Sequence, residues 1–123
     1  MSRENATINM VIAALGGEGG GVLTNWLIAA AERSGWWCQS TSLAGVAQRT
    51  GATIYYLEFM PREEGMRPPV MSLFPAQGDI DIAVASEIAE AGRMISRGFI
   101  SPDKSILINS DHRVFGITEK SAA

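Results

Sequence analysis

Cysteine and histidine are almost missing from this chain: Cys38 and His112 are their only representatives in 123 residues. A single cysteine forms no intramolecular disulfide and builds neither an iron–sulfur cluster nor a structural zinc site within one chain. Such a chain is expected in the cytoplasm. A single histidine in a polar tail is more often bland than catalytic, because a general base needs an oriented partner and a pocket. Clustered lysine and arginine are missing as well, and the formal net charge is −3. That argues against a nucleic-acid surface. The apolar stretches end at glycines, short of the roughly 20 residues that cross a bilayer. The polar start, with Arg3 and Glu4 before Thr7, has no signal-peptide pattern. Neither a membrane nor a nucleic acid is expected as a partner.

Apolar residues are plentiful. At 46% hydrophobic the chain is not disordered, and its length suits one domain over residues 1–123 with a real core. The stretch that organises it is Asn9–Val22. An apolar run leads into five glycines in six positions, Gly16-Gly17-Glu18-Gly19-Gly20-Gly21, and a helical pattern follows at once. The run does not alternate, so the strand is expected to be covered on both faces, as in a parallel sheet. Glycines let the backbone turn sharply and let a ligand approach bare amides. The helix after them points free N–H groups at the same space, which makes a ready anion site. The alternative is a turn that needs glycine only to let helix and strand pack.

Val22 to Ser34 reads as a helix with an apolar stripe of Val22, Leu23, Trp26, Leu27 and Ala30, stopped by Gly35. Trp36 to Ser40 reads as a short second strand. Thr41 to Gly51 is small and polar, bracketed by Gly45 and Gly51. It is either a ligand loop using Gln48 and Arg49 or an ordinary short helix with both side chains in solvent. Ala52 to Phe59 is a third strand by its β-branched and aromatic content. Met60 to Gly78, with four prolines, is a long irregular connection. Asp79 to Ala85 is the fourth strand. A helix follows with Ser86 as N-cap and Ile88, Ala91 and Ile95 as its buried side, ending at Gly98. Lys104 to Ser110 is the fifth strand, with Asn109 and Ser110 at its end; Asp111 to Ala123 has no clear element. Strands alternating with helices predict a three-layer, Rossmann-like α/β domain with a mostly parallel sheet.

Two familiar phosphate motifs do not fit. Counted from Gly16, the third place of a dinucleotide fingerprint is Glu18; counted from Gly17, the sixth is Val22. No acid stands at the end of the second strand, and no Gly-Lys-Ser/Thr follows the glycines. Glu87 and Glu90 read as helix-start carboxylates. No catalytic residue is assigned. The residues alone describe an α/β domain that binds a ligand or a partner.

Four stretches, Leu15–Val22, Gly45–Gly51, Asp81–Arg93 and Ile106–Asn109, taken in this order, resemble the gamma-type domain of 2-oxoacid:ferredoxin oxidoreductases. The likeness is greatest to the beta-subunit type of the indolepyruvate branch, and Ala47-Gln48-Arg49-Thr50-Gly51 is its most specific element. The resemblance implies an accessory, Rossmann-like unit, inactive alone, in an enzyme that oxidatively decarboxylates a 2-oxoacid to an acyl-CoA and passes electrons to ferredoxin. Thiamin diphosphate and iron–sulfur clusters are then expected in a large partner subunit, and none is expected to be bound by this chain alone. Gly16, Gly17, Glu18, Gly19, Gly20, Gly21, Gln48 and Arg49 become the candidate surface toward coenzyme A or the partner's active site. Many relatives carry glutamine where this chain has Glu18. The family domain also continues past the fifth strand, which implies that this one is cut short at its C-terminal side. Made without its partner, such a chain is expected to self-associate. The competing reading is a stand-alone nucleotide- or small-ligand-binding module.

Overall fold

The computed structural model describes residues 7–47, 52–65, 67, 71–72 and 75–111, with backbone alone over 43–47. Gln48, Arg49 and His112 lie outside the described residues. In chain order the elements are β1 (Ile8–Leu15), α1 (Gly20–Arg33), β2 (Trp36–Ala47), β3 (Ala52–Pro61), β4 (Ile82–Ala85), α2 (Ile88–Ser96) and β5 (Ile106–Asn109). The sheet order is β2-β3-β1-β4-β5. β1 pairs in parallel with β4, and β4 with β5; β3 runs antiparallel to both of its neighbours, β1 and β2. The α/β, Rossmann-like class holds with a mixed sheet, in which every strand but β3 runs the same way.

The central strand sorts the layers. Val11 and Ala13 join one buried cluster with Ala91 and Met94 of α2. Met10, Ile12 and Ala14 join the other with Ala31, Leu23, Leu27 and Ile28 of α1. Successive β1 side chains point to opposite faces, so one helix covers each face, and the unalternating apolar run is explained. Left-handed Gly35 (φ 80°) ends α1 and left-handed Gly98 (φ 76°) ends α2, each where the sequence places the stop. The connection after β3 folds back on the sheet. The Gln39 side chain donates to the carbonyls of Met71 and Ser72, and Ser72 N–H donates to buried Glu58. The Arg62 guanidinium sits 3.9 Å over the Trp37 ring.

Three sequence expectations are corrected. Thr41 to Ala47 is neither loop nor short helix but the second half of β2, because β3 offers a full antiparallel ladder from Trp36↔Pro61 to Ala44↔Thr53, with an irregularity before Ala47↔Ala52. Helix α1 buries Gly20, Thr24 and Ala31, while Val22 and Trp26 are exposed. Small residues let the helix sit close to the sheet, and that contact fixes its rotation. Helix α2 buries Glu90, Ala91 and Met94 and exposes Ile88 and Ile95. Its N-cap is Glu87, whose carboxylate accepts from Ala89 N–H at 2.7 Å and Glu90 N–H at 3.3 Å. Glu90 is paired with Arg93 one turn on, which is how a carboxylate is accommodated there.

Candidate functional site

β1 and β4 are parallel neighbours, yet the helices that follow them leave to opposite faces of the sheet. In open α/β sheets, the crevice outside the carboxyl ends of such a strand pair is where ligands bind. Here the loops over it are residues 16–19, after β1, and Ser86 and Glu87, after β4. Asn109 and Ser110 end β5 on the same edge, where Ser110 N–H donates to the Ala85 carbonyl.

The glycine loop makes its turn through left-handed Gly17 (φ 83°) and Gly19 (φ 81°), a region closed to most side chains. Glu18 N–H donates back to the Leu15 carbonyl at 3.1 Å, and Gly19 opens α1 with no side-chain cap. No acid stands in the first turn of α1. Gly20 serves packing: a Cβ there would lie 2.6 Å from the Ala14 methyl and 2.8 Å from the Tyr55 ring. Gly16, Gly17 and Gly19 have open space where a Cβ would be, and Gly16, Gly17, Glu18 and Gly19 are exposed. The packing reading holds at one position, and Gly16, Gly17 and Gly19 are left open to solvent. Gly20 is the packing glycine, and the preceding ones form the open rim.

Ser86 ties this loop to β4. Its N–H donates to the Ala13 carbonyl at 2.9 Å. Its hydroxyl accepts from Leu15 N–H at 3.2 Å and donates to Glu18 Oε1 at 2.7 Å. Sequence reasoning gave Ser86 a capping role and missed this one. Its place one residue beyond a parallel strand was the available signal. The structure thus brings Leu15, Glu18 and Ser86 together. Ala47, the last residue of β2, pairs with Ala52, itself paired with Leu15; Gln48 and Arg49 lie outside the described residues.

Metal chemistry has no seat among the described residues, where no three His, Cys, Asp or Glu side chains converge. Cys38 is half-buried on β2, and burial, with the charge of Glu32 adding, pushes its thiol up to about 11, away from the thiolate a metal needs. An iron–sulfur cluster does not fit this chain. An anionic group such as a coenzyme's phosphate would meet the backbone N–H groups of the first turn of α1. Among the described residues, no helix is long and apolar enough to cross a membrane.

Residues 9–122 match the family model described as pyruvate ferredoxin/flavodoxin oxidoreductase. Among solved structures, the fold is similar to that of the 2-oxoglutarate:ferredoxin oxidoreductase of Magnetococcus marinus, solved with 2-oxoglutarate, coenzyme A and succinyl-CoA bound. The TM-score is 0.63 at 13% identity, over 93% of this chain and 18% of that one. It is also similar to the pyruvate oxidoreductase subunit PORC of Thermotoga maritima, with a TM-score of 0.59 at 19% identity, over 89% of this chain and 53% of that one. The chain therefore spans about a fifth and about half of these two relatives. No curated protein matches its sequence.

Proposed function

The chain belongs to the pyruvate ferredoxin/flavodoxin oxidoreductase family, and from that premise we propose that it is an accessory subunit or domain of a cytoplasmic 2-oxoacid:ferredoxin oxidoreductase of the indolepyruvate type. The enzyme oxidatively decarboxylates an aryl 2-oxoacid to its acyl-CoA and passes the electrons to ferredoxin. A large partner subunit supplies thiamin diphosphate and the iron–sulfur clusters. This chain performs no chemistry alone; Gly16 to Gly21 with Gln48 and Arg49 face coenzyme A where the two subunits meet.

The observation that carries this reading is the open glycine rim at the β1–β4 crevice, with the uncapped N-terminus of α1 behind it. Coenzyme A bound in the Magnetococcus marinus relative supports it. The indolepyruvate branch rests on the sequence motifs alone. The reading is tested by co-expression with the large thiamin-dependent subunit, measuring CoA-dependent ferredoxin reduction on indolepyruvate and on pyruvate. Activity is expected only in the complex, with indolepyruvate preferred. Arg49→Lys is expected to weaken coenzyme A use or docking by about 1–3 kcal/mol, the size of a lost charge-assisted bond. A chain that never binds the large subunit but holds a nucleotide tightly by itself would replace this reading with the stand-alone module.

A further inference from the structure

The backbone ladder between β1 and β4 ends at Ala13 and Ala85, where β4 turns away toward α2. Two residues on, Leu15 still has an N–H on that side, and the acceptor it finds is the Ser86 hydroxyl at 3.2 Å. The same hydroxyl gives its proton to Glu18 Oε1 at 2.7 Å. The chain Leu15 N–H to Ser86 O–H to Glu18 carboxylate runs donor to acceptor throughout, so each bond polarises the next, and its last bond is charge-assisted. The glycines on either side of Glu18 bring no side chain of their own to the loop. Gly16, Gly17 and Gly19 touch nothing where a Cβ would stand, two of them are left-handed, and Glu18 is the one residue among 16–21 with a side chain. Glycine has the most backbone freedom to lose on ordering.

We propose that Ser86 is a positioning residue: with Glu18 it clasps the glycine loop to the β4–α2 junction and so presets the rim and the first turn of α1 for what binds at the crevice. What binds there rests on the function proposed above; the clasp itself does not. Glu18 is needed as an acceptor, so a neutral amide oxygen at that position serves in its place.

The test is amide hydrogen exchange on the whole chain, comparing Ser86→Ala, Glu18→Ala and Glu18→Gln. The reporters are the N–H of residue 18, bonded to the Leu15 carbonyl, and the N–H of Leu23, bonded to the Gly19 carbonyl. The reference is the N–H of Val11 and Ile12 in the buried strand. Ser86→Ala and Glu18→Ala are expected to speed exchange at the reporters about tenfold with the reference unchanged, and Glu18→Gln to stay near the parent. Unchanged reporters, or equal acceleration of the reference, would overturn the clasp. In the reconstituted complex, Ser86→Ala is expected to raise the KM for coenzyme A several-fold at unchanged kcat, with Ser86→Thr restoring it. An altered loop exchange with an unaltered KM would leave the clasp standing and count against the proposed function.

Discussion

Gly20→Ala separates the two uses of glycine in this loop. Gly20 is the first residue of α1, and its φ is not among the left-handed ones. Alanine is therefore allowed by the backbone, and in a helix it gains roughly 0.5–1 kcal/mol over glycine. Against that, the added methyl would stand 2.6 Å from the Ala14 Cβ and 2.8 Å from Tyr55 Cε2. Tyr55 is a side chain and can swing, but the Ala14 methyl is fixed to the backbone of a central strand. The relief available is for the start of α1 to lift off the sheet, and overpacking of this kind costs roughly 1–3 kcal/mol. The steric term outweighs the gain, and the net loss is up to about 2.5 kcal/mol. Urea unfolding followed by far-UV circular dichroism should show a lower midpoint at an unchanged m-value. Gly16→Ala, with nothing within 4 Å of its Cβ and no left-handed φ, is the matched control and should move the midpoint little. Adding Ala14→Gly to Gly20→Ala should recover part of the loss. A Gly20→Ala chain as stable as the parent would refute close packing of α1 on β1 as the reason for this glycine.

Gly92 lies inside α2 with open space around it, so Gly92→Ala should raise stability by about 0.5–1 kcal/mol in the same urea assay. The raised Cys38 thiol, at about 11 against an ordinary 9.0, keeps its proton in the folded chain. Alkylation at pH 8 should then be roughly a hundredfold slower than in the unfolded chain. Its contribution to stability is fully present below pH 9 and is lost as pH rises from 9 toward 11, which pH-dependent urea melts would follow. Ile106 and Ile108 of β5, 62% and 55% exposed, stand on the α1 side of the sheet beside Ile82 and Val84 of β4. Exposed apolar surface of this kind drives association. The chain made alone should self-associate in sedimentation velocity, and the double variant Ile106→Lys, Ile108→Lys should sediment as a monomer. A parent that is monomeric over a wide concentration range would refute this.

The order of elements was legible because each boundary has a local cause: the unbroken run before Gly16, the stops at Gly35 and Gly98, and the β-branched and aromatic residues of β3. Strand direction was not. An apolar run reads the same whether its neighbour is parallel or antiparallel, so the reversal of β3 and the length of the β2–β3 hairpin came only from the pairing. Helix faces were read in part, with Leu23, Leu27 and Ala91 on the core side as expected, and missed in part for another reason. Ranking residues by hydrophobicity put Val22, Trp26, Ile88 and Ile95 inside. Close approach through Gly20 and Thr24, and the pairing of Glu90 with Arg93, turned both helices away from that solution. The glycine loop was legible as a tight turn between strand and helix because its spacing is local. The part of Ser86 in it was not, since Glu18 and Ser86 are 68 residues apart and meet only because β1 and β4 are neighbours.

The three tryptophans all sit on one side of the chain's own seam: Trp26 on α1, Trp36 and Trp37 on β2, with both tyrosines on the adjoining β3. β4, α2 and β5 carry no tryptophan or tyrosine. Tryptophan fluorescence therefore reports on α1, β2 and β3, and carries no probe on the two strands β4 and β5. If β4, α2 and β5 loosen first, tryptophan emission will hold steady while helical dichroism at 222 nm already falls, and the gap between the two curves measures how far the two parts melt as one cooperative body.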